Sequence, residues 1–98
     1  MDIRYELHGI MFVWDQEKGR TNPLKHNGIN FEQAAEAFFD PFLKWIDASR
    51  NEEQRDAIIG LDKHWNLLFV VHIEVENDEI RIISARKATR KERMEYEN

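Results

Sequence analysis

Four short apolar runs follow one another over the second half of the chain: Phe42–Asp47, Gln54–Leu61, Leu67–Glu74 and Glu79–Ala85. Only Ala48–Glu53, the Asp62–Asn66 turn and Glu76-Asn77-Asp78 separate them. Breaks this short are hairpin connections, so the runs read as consecutive strands of an antiparallel meander. That requirement limits the fold more than any other feature, because the remaining segments must cover the meander.

The flanks supply the cover. Tyr5–Trp14 is apolar toward its end and reads as a first strand closing at Asp15. Asp15 is placed to N-cap a short polar helix over residues 16–26, since its carboxylate can accept an orphan backbone N–H. Pro23 falls inside that helix and Asn27-Gly28 breaks it. Asn30 then caps a helix over 31–39, with Gln33 at the capping-box position. Phe31, Ala34, Ala35, Phe38 and Phe39 recur at helical spacing, so this helix packs on a core, and Asp40-Pro41 ends it. Thr89-Arg90-Lys91-Glu92 is a capping box that opens a final helix through Tyr96. The expected order is β-α-α-β-β-β-β-α in a single α+β domain over residues 1–98, with helices packed on an antiparallel meander. On the third meander strand, period-2 spacing puts Leu67, Phe69, Val71 and Ile73 on one face, assigned to the core. Leu68, Val70, His72 and Glu74 take the other, assigned to the open face. Arg55 alternates with Ala57 and Ile59. Arg81 and Arg86 have opposite parity, so a straight strand cannot aim both at one site.

Composition removes several functions. Without cysteine there is no disulfide framework, thiolate metal site or cysteine nucleophile, which suits a reducing compartment such as the cytoplasm. Nothing approaches the roughly eighteen apolar residues of a membrane span, and Met1-Asp2-Ile3-Arg4 lacks a signal-peptide pattern. The net charge of -5 argues at first against a nucleic-acid ligand. Its distribution argues otherwise. Residues 1–80 carry eight basic against sixteen acidic side chains, a balance of -8, while residues 81–98 carry six against three, a balance of +3. Arg81, Arg86, Lys87, Arg90, Lys91 and Arg93 form a local basic footprint that also fits a solvated helix face.

Few catalytic chemistries fit. His8, His26, His64 and His72 show no HxH, HxxxH or HExxH spacing, so no metal site and no cofactor is expected. Ser49 and Ser84 lie outside any Gly-x-Ser-x-Gly elbow, and the four glycines are scattered singly. Glu52/Glu53 are paired carboxylates in a polar break, where solvation explains them. What remains is a set of cations and polar rings: Lys18, Lys25, His26, Arg55, His72, Arg81, Arg86, Arg90 and Tyr96. Such a set can bind a phosphodiester and stabilise its pentacovalent transition state without metal. RNA brings its own nucleophile, the 2′-hydroxyl. Each arginine alone also fits a surface or salt-bridge role.

Trp14-Asp15-x-x-Lys18, Asn22-x-x-Lys25-His26, Phe31-Glu32-x-Ala34-Ala35 with Phe38 and Asp40-Pro41, Glu53-x-Arg55 with Gly60, and Arg81 through Glu97 occur in that order. Together they make the chain resemble the BrnT-type toxins of bacterial type II toxin–antitoxin systems. The resemblance implies a fold similar to the RelE-like ribonuclease toxins and a metal-independent endoribonuclease that blocks translation by cutting RNA. It also implies a BrnA-type ribbon–helix–helix antitoxin as partner, through which alone the complex binds promoter DNA. Carried over by position, the resemblance makes Lys25, His26, Arg55, Arg86, Glu92, Arg93 and Tyr96 functional candidates. Arg55 and Arg86 are expected to hold phosphate and transition-state charge, with His26 or Tyr96 handling the proton. Lys25, Arg81, Arg90 and Arg93 are the expected RNA contacts. Trp14, Phe31, Ala35 and Gly60 read as core and turn residues. Asp56, an anion beside Arg55, and the acidic total favour an alternative: a non-catalytic, degenerate toxin that serves as the antitoxin-binding, autoregulatory subunit.

Overall fold

A computed structural model describes residues 1–49 and 54–98. The Ala48–Glu53 break is covered only at its start, and the Glu52/Glu53 pair, with the Glu53 of the Glu53-x-Arg55 block, lies outside the described residues. The elements are β1 (Asp2–Leu7), β2 (Ile10–Asp15), α1 (Gln16–Lys25), α2 (Phe31–Ala37), β3 (Lys44–Asp47), β4 (Asp56–Leu61), β5 (Leu67–Val75), β6 (Glu79–Lys87) and α3 (Arg90–Glu97). A short 3-10 turn, Glu76–Asp78, joins β5 to β6. The strands form one six-stranded sheet in the order β1-β2-β6-β5-β4-β3. The meander β3-β4-β5-β6 is antiparallel throughout, as its short breaks require. No helix among the described residues is long and apolar enough to cross a membrane.

The order gains one strand over the expected one. The run Tyr5–Trp14 is not a single strand but parts of two, folded back at His8-Gly9 with Leu7 opposite Ile10. Both turn residues have positive φ, 51° and 85°, the requirement of a tight hairpin whose twist matches its strands. Gly9 meets that geometry freely, and His8 braces it by setting its ring edge-on against Phe39, centroids 5.0 Å apart. This hairpin joins the meander through a short parallel contact, Phe12 beside Ile80 and Val13 beside Arg81. The sheet is therefore not purely antiparallel.

Capping follows the sequence closely. Asp15 accepts from the Lys18 N–H at 3.0 Å, and Asn30 with Gln33, and Thr89 with Glu92, form complete capping boxes. α1 runs through Pro23 despite the missing donor, and Asn22 shows what ties it down. Because β2 accompanies β6 only as far as Arg81, the later edge of β6 lacks a strand partner. The buried Asn22 amide takes that place: Nδ2 donates to the carbonyls of Ala85 and Ile29, both at 2.8 Å, and Oδ1 accepts from the Ala85 N–H at 3.3 Å.

α1 and α2 cover one face of the sheet. Phe12, Trp14, Phe31, Ile58, Leu68, Val70 and Ile82 fill the core between them, with the small side chains Ala34, Ala35 and Ala37 letting α2 approach closely. Each large apolar side chain buried there contributes roughly 1.5–3 kcal/mol. The approach is tightest at Gly60, where an added Cβ would stand 2.5 Å from the Ala37 carbonyl oxygen. Because that neighbour is backbone, α2 must move to admit even one methyl. Gly60→Ala is expected to destabilise the fold by about 1–3 kcal/mol, the usual cost of overpacking, read as a lower urea midpoint. An unchanged midpoint would show that α2 does not sit where described.

Candidate functional site

The open face of the sheet is set by β5 and by an irregularity in β6. On β5 the assignment by period is reversed. Leu68, Val70 and His72 are buried beneath the helices, whereas Phe69, Val71 and Ile73 are half-buried on the other face. The reason is that β5 is apolar on both faces over Leu67–Val71, so alternation cannot orient it, and the polar character of His72 pointed the wrong way. On β6 the register shifts: His72 lies opposite Ile82 but Val71 opposite Ser84, so Ile83 is an extra residue. Side-chain parity inverts across it. Ile82 and Ala85 both enter the core, and Arg81 and Arg86, three residues beyond Ile83, share the open face. Because the strand is not straight, opposite parity does not put these arginines on opposite faces.

A groove of about 600 Å³ lies on this face, walled by Ile46, Asp47, Ala48 and Ser49 at the β3 end, Phe69 and Val71 of β5, Ser84 and Arg86 of β6, Arg55, and Glu92 of α3. Arg55 enters because its backbone continues the β3–β4 pairing: its carbonyl accepts from the Ala48 N–H at 3.0 Å and its N–H donates to Ser49 Oγ at 3.2 Å. The two arginines expected to bind phosphate thus meet in one groove. Asp56, one residue on, pairs with His72 across the strands and belongs to the helix-covered face, so it does not stand beside the Arg55 side chain.

Arg86 is held from two directions. Its guanidinium carbon lies 4.3 Å from the centre of the Phe69 ring, a cation–π contact. Its two terminal nitrogens donate to the two Glu92 oxygens, each at 2.8 Å. That hydrogen-bonded carboxylate pushes the guanidinium pKa up against its desolvation. Burial pushes the Glu92 carboxyl up, but hydrogen bonds from Arg86 and from the Thr89 N–H outweigh it and hold the group below its ordinary value. Glu92 therefore closes the α3 capping box and neutralises Arg86 at once. With Asp47 and Arg55, the described residues of the groove comprise two cations and two anions.

The other candidates lie elsewhere. Arg81 sits on the open face but is bonded to Asp2, beside the Arg4–Glu79 pair, and does not line the groove. Lys25 is exposed at the end of α1 and His26 is its C-cap. Arg90 and Arg93 are exposed on α3. Tyr96 points away from the groove: its hydroxyl donates to Asp40 Oδ2 at 2.5 Å, and burial with that carboxylate pushes its pKa up to about 12. Phe69, Val71, Ser84 and Ser49 are groove residues that sequence reasoning missed. For Phe69, Val71 and Ser84 the signal was present only as strand parity, which the extra residue in β6 and the two-sided apolarity of β5 obscured; Ser49 lies past the end of β3 and had no such signal.

The histidines are dispersed: His8 in the hairpin turn, His26 at the end of α1, His64 in the β4–β5 turn and His72 in the core. Among the described residues no group of three or more His, Cys, Asp or Glu could hold a metal ion. His72 is fully buried between the Phe38 and Trp45 rings, at centroid distances of 4.8 and 5.1 Å. Its Nδ1 stands 3.4 Å from the Val70 carbonyl and its Nε2 has no partner. Desolvation lowers its pKa below 6.5, so the folded protein holds the ring neutral. The unfolded chain then binds more protons below pH 6.5, and stability is present above that pH and falls as pH drops toward the folded value. Denaturation midpoints between pH 7.5 and 5.5 should decline in the wild type and decline less in His72→Phe. Parallel declines would show that another group carries the acid sensitivity.

Residues 14–92 match the model of a family described as the ribonuclease toxin BrnT of type II toxin–antitoxin systems. No curated protein matches the chain. With the match covering most of its length, the chain belongs to the BrnT family.

Proposed function

We propose that this BrnT toxin, a ribonuclease by family, cuts RNA in the groove where Arg55 and Arg86 meet. The single observation that carries the reading is this convergence on one cavity of two arginines, one at the entry to β4 and one near the end of β6. In the proposed reaction the 2′-hydroxyl attacks the adjacent phosphorus, the bond to the 5′-oxygen breaks, and the products end in 2′,3′-cyclic phosphate and 5′-hydroxyl. Arg55 and Arg86 stabilise the charge that grows on the non-bridging oxygens. RNA supplies the nucleophile and the two guanidinium groups supply the charge, so the step requires no metal.

Neither His26 nor Tyr96 lines the groove, and Tyr96 is engaged by Asp40. The proton role proposed for them therefore passes to Glu92. A phosphate in front of Arg86 competes with Glu92 for the guanidinium; the released carboxylate loses the Arg86 bonds, keeps the capping bond from Thr89, and accepts the 2′-hydroxyl proton. The leaving 5′-oxygen takes its proton from water. Lys25, Arg90 and Arg93, all exposed, contact phosphates farther along the strand, and Arg81 stays in its ion-pair cluster. With an overall charge of -5, nonspecific attraction to free RNA is weak, which favours placement of the RNA by the ribosome. Cleavage then stops translation in the cytoplasm, and a BrnA-type ribbon–helix–helix antitoxin restrains the toxin and carries the complex to its promoter.

The purified toxin should cut RNA in the presence of EDTA. Arg55→Ala and Arg86→Ala should each lower the rate about 10²–10³-fold, the usual loss on removing one donor to a developing oxyanion. A double variant that still cuts at the wild-type rate would falsify the site. The closed Arg86–Glu92 pair also favours a second reading, a non-catalytic antitoxin-binding subunit. A toxin that binds its antitoxin tightly yet never cuts RNA decides for that reading.

A further inference from the structure

A second cavity, of about 510 Å³, shares no wall residue with the groove. Phe39, Pro41, Leu61 and Trp65 supply apolar walls, and Glu36 and Asp62 stand among them. Trp65 is the unusual member. It is 80% exposed, and its φ of 68° is a left-handed conformation that bulky side chains rarely adopt. The turn that imposes this is fixed by Asp62. Its Oδ1 accepts from the N–H groups of His64 and Asn66, both at 2.9 Å, and its Oδ2 from Asn66 Nδ2 at 3.0 Å and Gln33 Nε2 at 3.1 Å. A buried carboxylate with four donors thus holds a strained backbone and presents an indole to water. Neither the strain nor the exposure contributes to the core, and strain persisting in an over-determined turn is a mark of function. A large exposed aromatic at an apolar cavity is the usual anchor of a protein interface.

Charge selects the partner. Residues 1–80 carry a balance of -8, and of these charges Glu36, Asp40 and Asp62, against Lys63, line the cavity. RNA phosphates are repelled by such a surface, and so is the acidic part, residues 1–80, of a second copy of this chain. The complementary occupant is a protein segment with an apolar or aromatic side chain flanked by lysine or arginine. We propose that this cavity, anchored by Trp65, is the docking site of the cognate antitoxin, which binds apart from the groove through a basic, apolar-bearing segment. The proposal rests on the reading of the chain as an antitoxin-controlled toxin.

The test titrates the purified antitoxin co-encoded with this toxin against wild type, Trp65→Gly, Glu36→Gln and Arg86→Ala, with RNA cleavage followed in the same toxin preparations. Glycine accepts φ 68° without strain, so Trp65→Gly removes the indole and leaves the turn intact. The expected result is at least tenfold weaker binding by Trp65→Gly, a smaller loss by Glu36→Gln, and affinity that falls as salt rises. Trp65→Gly alone should cut RNA at the wild-type rate, and Arg86→Ala should bind antitoxin normally. Wild-type affinity in Trp65→Gly, or loss of affinity confined to Arg86→Ala, overturns the docking site. Absence of RNA cleavage with Trp65-dependent antitoxin binding overturns the proposed catalysis and leaves the docking site standing.

Discussion

One extra residue in β6 decides what the open face of this protein contains. Between Ile82 and Ser84 the strand carries Ile83 with no counterpart on β5, and every side chain after it changes face. Before the bulge Ile80 and Ile82 supply the core; after it Ala85 does, and Ser84 and Arg86 turn outward. In an unbulged strand, Arg86 would point under α2, where an unpaired guanidinium costs several kcal/mol. Ala85 would leave the core, and its amide could not meet Asn22. The bulge thus fixes the groove, the attachment of α1 and the packing of the strand end together.

α3 completes the groove and links it to the rest of the molecule. Its first turn places Glu92 on Arg86, and its last turn ties Tyr96 to Asp40, beyond the end of β4. Asp40 in turn accepts from the N–H groups of Phe42 and Leu61, so the helix is bonded through one carboxylate to both the α2–β3 connection and the sheet. These bonds outweigh the desolvation of Asp40 and hold it ionised below its ordinary range. A short helix with little apolar surface gains its position from such bonds rather than from burial, since none of its side chains is fully buried. Among the described residues the charges of the groove balance, and Arg86 is available to a ligand that competes with Glu92.

Much of the architecture was legible because local chemistry determines it. Asp15, Asn30 and Thr89 announce helix starts through side-chain bonds to the backbone, and the breaks within the meander leave room only for antiparallel neighbours. The His8-Gly9 hairpin was not legible, since histidine seldom takes the left-handed position where asparagine or aspartate is usual. The orientation of β5 was hidden because both its faces are apolar, and polarity then misassigned His72. For the site, Arg55 and Arg86 stood out as cations at two strands of the meander, yet the bulge that brings Arg86 to the open face leaves no local signal. Glu92 was visible as a capping residue, and its bond to Arg86 depends on where α3 crosses the sheet. Trp65 was unremarkable as sequence; its backbone angle and exposure give it meaning.

In the proposed reaction RNA enters the groove by taking Arg86 from Glu92. Side-chain NMR of the labelled guanidinium groups, during titration with an RNA carrying a 2′-deoxy block at the cut site, reads this exchange. The Arg55 and Arg86 signals should shift together and saturate at one RNA concentration, the Glu92 carboxyl should lose its bonded signature, and Arg4 and Arg81 should stay unmoved. Shifts confined to Arg4, Arg81 and the surface of α1, with the Arg86–Glu92 pair intact at saturation, would contradict it.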